Sequence, residues 1–302
     1  MNVSIKHSQG NGTTEELKRL SDFINVIVAE IGLSSGHITD IIVADEGQFG
    51  AAVNELSPGA DFTDDGVYLA VGKTFHNHET PGRVRSSMVL LDRTVGVAYM
   101  QRCDPESVRN MESLSDVGIY AVYHEFGHCL DAELRSHESV GDGERTLGAL
   151  VLEEYAACRH TARYLTGRGF DEQQRLTRES LRNYLDQLQA ARNAYRGSED
   201  LPRMSQLAGI TFQRILIEHA KEFAFRHGNA AIENATMNLW SADALVEQLL
   251  QEWGVELSRA WTTYPNCAER FRSLSNGYFN TLSELHGYRF EYRSDGIYLW
   301  FN

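Results

Sequence analysis

The 302-residue sequence contains only five prolines and four cysteines. So few prolines exclude a collagen-like chain and a proline-rich low-complexity chain. The cysteines show no CxxC spacing, and four in a chain of this length do not make a disulfide framework: Cys103, Cys129, Cys158 and Cys267. They predict reduced thiols in a reducing compartment.

Positive charge is also scarce. Lysine and arginine together number 28 against 42 acidic residues, which gives a formal net charge of −14. This balance predicts that the protein does not bind nucleic acid, because it opposes a sequence-independent grip on phosphates. No run approaches the ~18–20 apolar residues that cross a bilayer, and the polar start lacks the apolar core of a secretory signal. These absences predict a cytoplasmic protein without membrane insertion, although export by a specialised route leaves no such signal.

The remaining composition, 42% hydrophobic and 23% charged, is that of a globular protein with a sizeable core. In the first third, apolar residues recur at helical spacing up to Ile31, and Gly32 is placed to end that helix. Apolar runs predict buried strands at residues 41–44, 67–71, 88–91 and 95–100. Residues 74–85 are predicted to form a polar loop.

From about Ser113 onward the sequence is predicted to be mostly helical. Further helices are predicted at about residues 146–166, 171–195, 203–227, 241–253 and 266–285. Two short apolar segments around Ser294-Asp295-Gly296 predict a terminal β-hairpin. The sequence therefore predicts an α+β fold with two lobes. A small mixed sheet with helices forms the first lobe, residues 1–132, and a mostly helical lobe, residues 133–302, ends in the hairpin.

One pattern carries chemistry, His-Glu-Phe-Gly-His at residues 124–128. His124 and His128 are four positions apart, so on a helix both imidazoles lie on one face and can reach one ion. Glu125 lies about 100° round the helix, where it can stand beside the ion and accept a proton from water. The flanking residues are apolar or neutral, which favours a helix inside a core over a solvated helix with two incidental histidines.

A catalytic zinc usually takes three protein ligands and one water. The HExxHxxGxxH arrangement is excluded, because Asp131 and Leu134 occupy its later positions. A second helical pattern carries the adjacent pair Glu153 and Glu154. The first helix is predicted to continue about two turns past His128, and the second to run back about two turns before this pair. At about 1.5 Å per residue the two lengths are nearly equal, so the pair is expected to lie level with the histidines. Because neighbours on a helix point about 100° apart, one of the two would be the third ligand.

The sequence motif His-Glu-Phe-Gly-His-x-x-Asp, followed by Glu-Tyr-x-Ala, resembles that of the gluzincin metallopeptidases. It is most similar to the catalytic domain of lethal-factor-type toxin peptidases, over about residues 113–165. The resemblance implies a zincin-like fold and one Zn²⁺ per chain, bound by His124, His128 and Glu154, with Glu125 as the general base. The alignment of Glu-Tyr-x-Ala selects Glu154 from the adjacent pair. The implied activity is that of a zinc metalloendopeptidase acting on a peptide or protein substrate.

The sequence departs from these enzymes at one supporting position. Four residues after the ligand glutamate they carry an acid that supports a histidine ligand, and here that position is Cys158. Because partners of this kind fix the imidazole tautomer, the role is expected to pass to another residue. Asp131, one turn after His128, is the candidate.

Other histidines and cysteines are weighed by their surroundings. The resemblance implies a tyrosine or histidine that steadies the oxyanion, which no motif locates. His219 falls on an apolar helix face. It is interpreted either as a core residue or as a polar group that points into the cleft between the lobes, and the core interpretation is favoured. His76 and His78 are interpreted as exposed loop histidines rather than an extra metal site. Cys129 and Cys158 are interpreted as small core residues.

Two other functions fit the same residues. A non-catalytic protein would keep a structural zinc and bind a partner, but the intact Glu125 argues against this because structural zinc does not need it. A hydrolase of a non-peptide substrate would share the whole motif. In a peptidase, an edge strand near the catalytic helix would bind an extended peptide by β-augmentation, and residues 88–91 or 95–100 are predicted to supply it.

Overall fold

The computed structural model describes residues 4–7, 14–34, 36–45, 47–58, 72–80, 83–95, 112–135, 147–198, 200–230, 232, 244–293 and 296–301. The strands are β1 (Ser4–His7), β2 (Ile38–Ala44), β3 (Gly72–Thr80), β4 (Arg83–Asp92), β5 (Tyr288–Arg293) and β6 (Gly296–Phe301). The helices are α1 (Thr14–Ile31), α2 (Phe49–Leu56), α3 (Glu112–Leu134), α4 (Leu147–Thr161), α5 (Gly167–Ser198), α6 (Leu201–Gly228), α7 (Ala244–Trp261) and α8 (Ala268–Leu285). This mixed, mostly helical architecture confirms the α+β prediction, including the terminal hairpin of β5 and β6.

The four-stranded sheet has the order β1-β2-β4-β3. Strands β1, β2 and β4 are parallel, whereas β3 runs antiparallel to β4. Side chains alternate between the faces of a strand, so Ile41 and Val43 of β2 pack with α1 and α3. Ile42 and Ala44 pack with α2 on the opposite face. The strands predicted at 41–44 and 88–91 are therefore confirmed, as parts of β2 and β4.

The prediction that residues 74–85 form a polar loop was wrong. Most of it is β3, and β4 begins at Arg83. Within the described residues β3 is an edge strand, so much of it stays near solvent and it needs no apolar alternation to form. Its pairing with β4 holds it in place instead. The strand predicted at 67–71, and all but the first residue of that at 95–100, lie outside the described residues.

The end of helix α1 was predicted from the sequence, whereas strand β1 was not. Helix α1 ends as predicted, since Gly32 has a φ of 76°, the left-handed conformation that glycine adopts freely. Strand β1 was missed because its four residues are too few to show an alternation of polar and apolar side chains.

None of the described helices is long and apolar enough to cross a membrane.

The described residues form two compact units whose segments alternate along the chain. One unit comprises Met1–Asp142, Ala156–Gln174 and Ala224–Asn234, and the other comprises Gly143–Tyr155, Arg175–Phe223 and Ala235–Asn302. Helices α4, α5 and α6 each run through both units. In the second unit, Phe212 of α6 is fully buried and makes edge contacts with Phe279 and Tyr288.

His219 lies on α6 with its side chain fully buried, which agrees with the favoured core interpretation. Burial lowers the pKa of its imidazole to about 3. Below about pH 6.5, the ordinary pKa of histidine, the unfolded chain therefore takes up a proton that the folded chain refuses.

The free energy of unfolding is expected to fall as the pH is lowered from 6.5. Between pH 6.5 and 5, His219 should account for a loss of about 2 kcal/mol. Urea unfolding at the two pH values measures the loss, and His219→Gln, which does not titrate, should reduce it. An equal loss in His219→Gln would assign the pH dependence to other groups.

Candidate metal centre

The two histidines of the HExxH pattern meet on one face of α3, as their spacing predicts. The Nε2 atoms of His124 and His128 lie 3.2 Å apart. The ring centroids are 4.6 Å apart and the ring planes are nearly perpendicular, at 79°. Both side chains are half-buried, so an ion between the two nitrogens would be partly screened from solvent.

Helix α4 crosses α3 at very short range because of one glycine. A Cβ atom at Gly127 would lie 2.5 Å from the backbone oxygen of Ala157, closer than any side chain tolerates. One residue further along α4, Cys158 Sγ lies 3.4 Å from His124 Nδ1. These contacts, all between residues of one compact unit, fix α4 beside the histidines.

Glu154 lies one turn before Cys158 on the same continuous helix. One ligand atom from each of His124, His128 and Glu154 lies within 4.8 Å of the others. Two imidazole nitrogens and a carboxylate oxygen form a donor set that fits a transition metal such as zinc. Glu153, the other member of the adjacent pair, is not part of this group.

A lysine on α6 lies beside the Glu154 carboxylate. Lys221 Nζ is 3.5 Å from Glu154 Oε2 and 3.2 Å from Glu218 Oε1. The Thr177 hydroxyl of α5 donates a hydrogen bond of 3.1 Å to the other oxygen of Glu218. The Glu154 side chain is therefore held by a polar cluster, which sequence reasoning missed because an ion pair between distant residues has no local pattern.

Glu125 points toward the sheet. Only 7% of the residue is exposed. The Thr74 hydroxyl, on β3, lies 2.8 Å from Glu125 Oε2 and 3.0 Å from the backbone oxygen of the same residue. A Cβ atom at Gly72 would lie 2.5 Å from Glu125 Cγ, so the glutamate side chain lies directly against the strand.

A buried polar network continues from Glu125 along this face of α3. Cys129, one turn on, is fully buried, and the hydroxyls of Thr74 and Ser87 partly offset the rise in its pKa. Burial, followed by the nearby Glu125 charge, raises the pKa of the Cys129 thiol. The thiol is therefore protonated at neutral pH and buried, which agrees with its interpretation as a core residue and not a metal ligand.

Two histidines contact the buried Ser87 hydroxyl. His76 Nδ1 lies 2.9 Å and His37 Nε2 lies 3.0 Å from Ser87 Oγ. Burial lowers the pKa of His37. The interpretation of His76 as an exposed loop residue was therefore wrong, because it lies half-buried in β3, whereas His78, also in β3, is exposed.

Asp131 is the residue that was expected to support a histidine ligand. Asp131 is buried and accepts a hydrogen bond of 2.9 Å from Arg135 Nε, with a second, short contact to Nη2. The contact to His124 Nδ1 comes from Cys158 itself. Cys158, four residues after Glu154 on α4, therefore contacts a histidine of the group through its sulfur. With Nδ1 facing this sulfur, Nε2 of His124 is the nitrogen that faces His128.

Comparison of the chain with models of protein families, with curated proteins and with solved structures finds no significant match.

Proposed function

We propose that this protein is a zinc-dependent metalloendopeptidase with a zincin-like arrangement. The observation that carries the proposal is the convergence of His124, His128 and Glu154 on one point, within 4.8 Å of one another. The buried Glu125 follows the first of these ligands directly in the sequence. Two imidazoles, one carboxylate and an adjacent second carboxylate are the groups that a hydrolytic zinc site requires.

The chain's own residues would divide the reaction between them. His124, His128 and Glu154 would hold the metal, which when bound polarises a carbonyl group and makes water more acidic. Glu125 would take a proton from the attacking water and pass it to the nitrogen of the leaving amine. Its burial favours this role, because a carboxylate away from bulk water interacts more strongly with nearby charge.

The edge strand is the proposed site for an extended peptide. Residues 88–91 belong to β4, which lies between β2 and β3, so the prediction that they form the edge was wrong. In the described part of the chain, β3 is the edge strand beside α3 and contacts Glu125. A substrate strand pairing with β3 would run past the base, which supports a peptide over a small non-peptide substrate.

Metal analysis tests the centre. The purified protein is expected to bind about one zinc per chain. His124→Ala and His128→Ala should each lose tight binding, because two ligands cannot hold zinc as three do. Elemental analysis after dialysis against buffer measures the stoichiometry.

The exposed His78 offers a matched control in the same assay. His78→Ala should keep its zinc, since the residue is not part of the metal-binding group. Undiminished zinc in the double variant of His124 and His128 would rule out the proposed site.

A further inference from the structure

Thr74 connects the sheet to the general base. Its hydroxyl lies 2.8 Å from Glu125 Oε2, the length of a strong hydrogen bond to a charged acceptor. Thr74 itself is held by pairing with Val89 of β4. The sheet therefore places the Thr74 backbone, and the hydroxyl contacts both the carboxylate and the backbone oxygen of Glu125.

Gly72 lies two positions earlier, on the same face of β3. A Cβ atom there would lie 2.5 Å from Glu125 Cγ and 3.0 Å from Oε1. A side chain at this position would therefore displace the glutamate side chain. Glycine at position 72 thus leaves the space that the Glu125 side chain occupies against the strand.

We propose that Thr74 is a positioning residue for the general base. Its hydrogen bond holds Glu125 Oε2 against β3, and in the proposed reaction Oε1 receives the proton from water. The water oxygen forms a bond to the carbonyl carbon of the peptide as one O–H bond of the water breaks and its proton goes to Oε1. That proton then forms an N–H bond on the leaving amine as the C–N bond breaks, which gives a carboxylic acid and a free amine. This inference rests on the proposed function, because it assumes that Glu125 acts as a base.

The kinetic test compares Thr74→Val with Thr74→Ser. Valine keeps the shape but removes the hydroxyl, and kcat should fall roughly tenfold, as expected for one lost hydrogen bond. KM and zinc content should stay unchanged, and Thr74→Ser should restore most of kcat. Native kcat in Thr74→Val, or a Thr74→Ser variant as slow as Thr74→Val, would overturn the inference. So would a change confined to KM, which would assign the strand to substrate binding alone.

Gly72→Ala gives a second variant with its own control. The added methyl group should lower kcat further than Thr74→Val without loss of zinc. Gly36→Ala is the matched control, because a Cβ atom there meets nothing within 4 Å. Full activity in Gly72→Ala would show that turnover does not depend on how β3 holds the Glu125 side chain, and would overturn the inference.

A measurement without turnover keeps this inference separate from the proposed function. Unfolding of metal-free Thr74→Val, Glu125→Ala and the double variant forms a thermodynamic cycle. Coupling of roughly fivefold to tenfold in the unfolding equilibrium constant is expected from one hydrogen bond between the two residues. Additive effects would overturn the contact. If the residues are coupled but Glu125→Gln cleaves normally, the proposed function fails; if Glu125→Gln is inactive but the cycle is additive, only the inference fails.

Discussion

Glu125→Gln is expected to stay folded, to keep its zinc and to lose hydrolytic turnover by a factor of about 10²–10⁴. Glutamine has the size and helix preference of glutamate, and its amide oxygen can still accept the hydrogen bond from Thr74. It cannot take a proton from water at neutral pH. The loss should therefore appear in kcat with zinc content unchanged.

Cleavage products from a proteome-derived peptide library provide the measurement for this variant. The native protein should cleave, and a chelator should abolish cleavage until zinc is restored. Cleavage by Glu125→Gln at the native rate would show that Glu125 is not the base. A native protein that carries full zinc but cleaves no peptide would favour the binding protein or the non-peptide hydrolase.

Glu154→Gln is expected to lose zinc affinity by more than about 100-fold, beyond the usual effect of changing a residue that only supports a ligand. The neutral amide is a poor substitute for a carboxylate ligand, and it also gives up the charge attraction to the ion. Glu153→Gln should bind zinc normally, because adjacent residues on α4 point about 100° apart. Competition with a zinc-binding dye measures both affinities.

The pair is its own matched control, since both changes remove one negative charge from neighbouring positions. Equal losses would indicate a general electrostatic effect rather than ligation. The opposite ranking would show that the register of α4 is wrong by one residue.

Local patterns carried most of what the sequence could predict. The four-residue spacing of His124 and His128 requires only a helix, and α3 supplies it. The position of the Glu154 side chain depends on how two helices cross. The spacing in the sequence could therefore place Glu154 level with the histidines, but it could not distinguish Glu154 from Glu153 as the ligand. That choice came from the resemblance.

The remaining features depend on contacts between distant segments. Thr74 and Gly72 lie about fifty residues before Glu125 in the sequence, in a segment whose polarity indicated a loop. An edge strand gains its stability from pairing with its neighbour, and no periodic signal in its own residues reveals that. Cys158 was expected to leave its supporting role vacant because sulfur is a weak hydrogen-bond acceptor, yet the helix crossing still places it against His124.

The close crossing at Gly127 has a consequence for the geometry of the proposed metal centre. Because a methyl group there would meet the Ala157 carbonyl at 2.5 Å, the distance between α3 and α4 is set by the absence of a side chain. Zinc binds imidazole nitrogen at about 2.0–2.1 Å, whereas calcium prefers oxygen ligands at about 2.3–2.6 Å. A larger residue at position 127 would separate the helices and widen the space between the imidazoles and the carboxylate. In the proposed zinc centre, a glycine that contributes no ligand would therefore set how closely the α4 carboxylate approaches the imidazoles of α3.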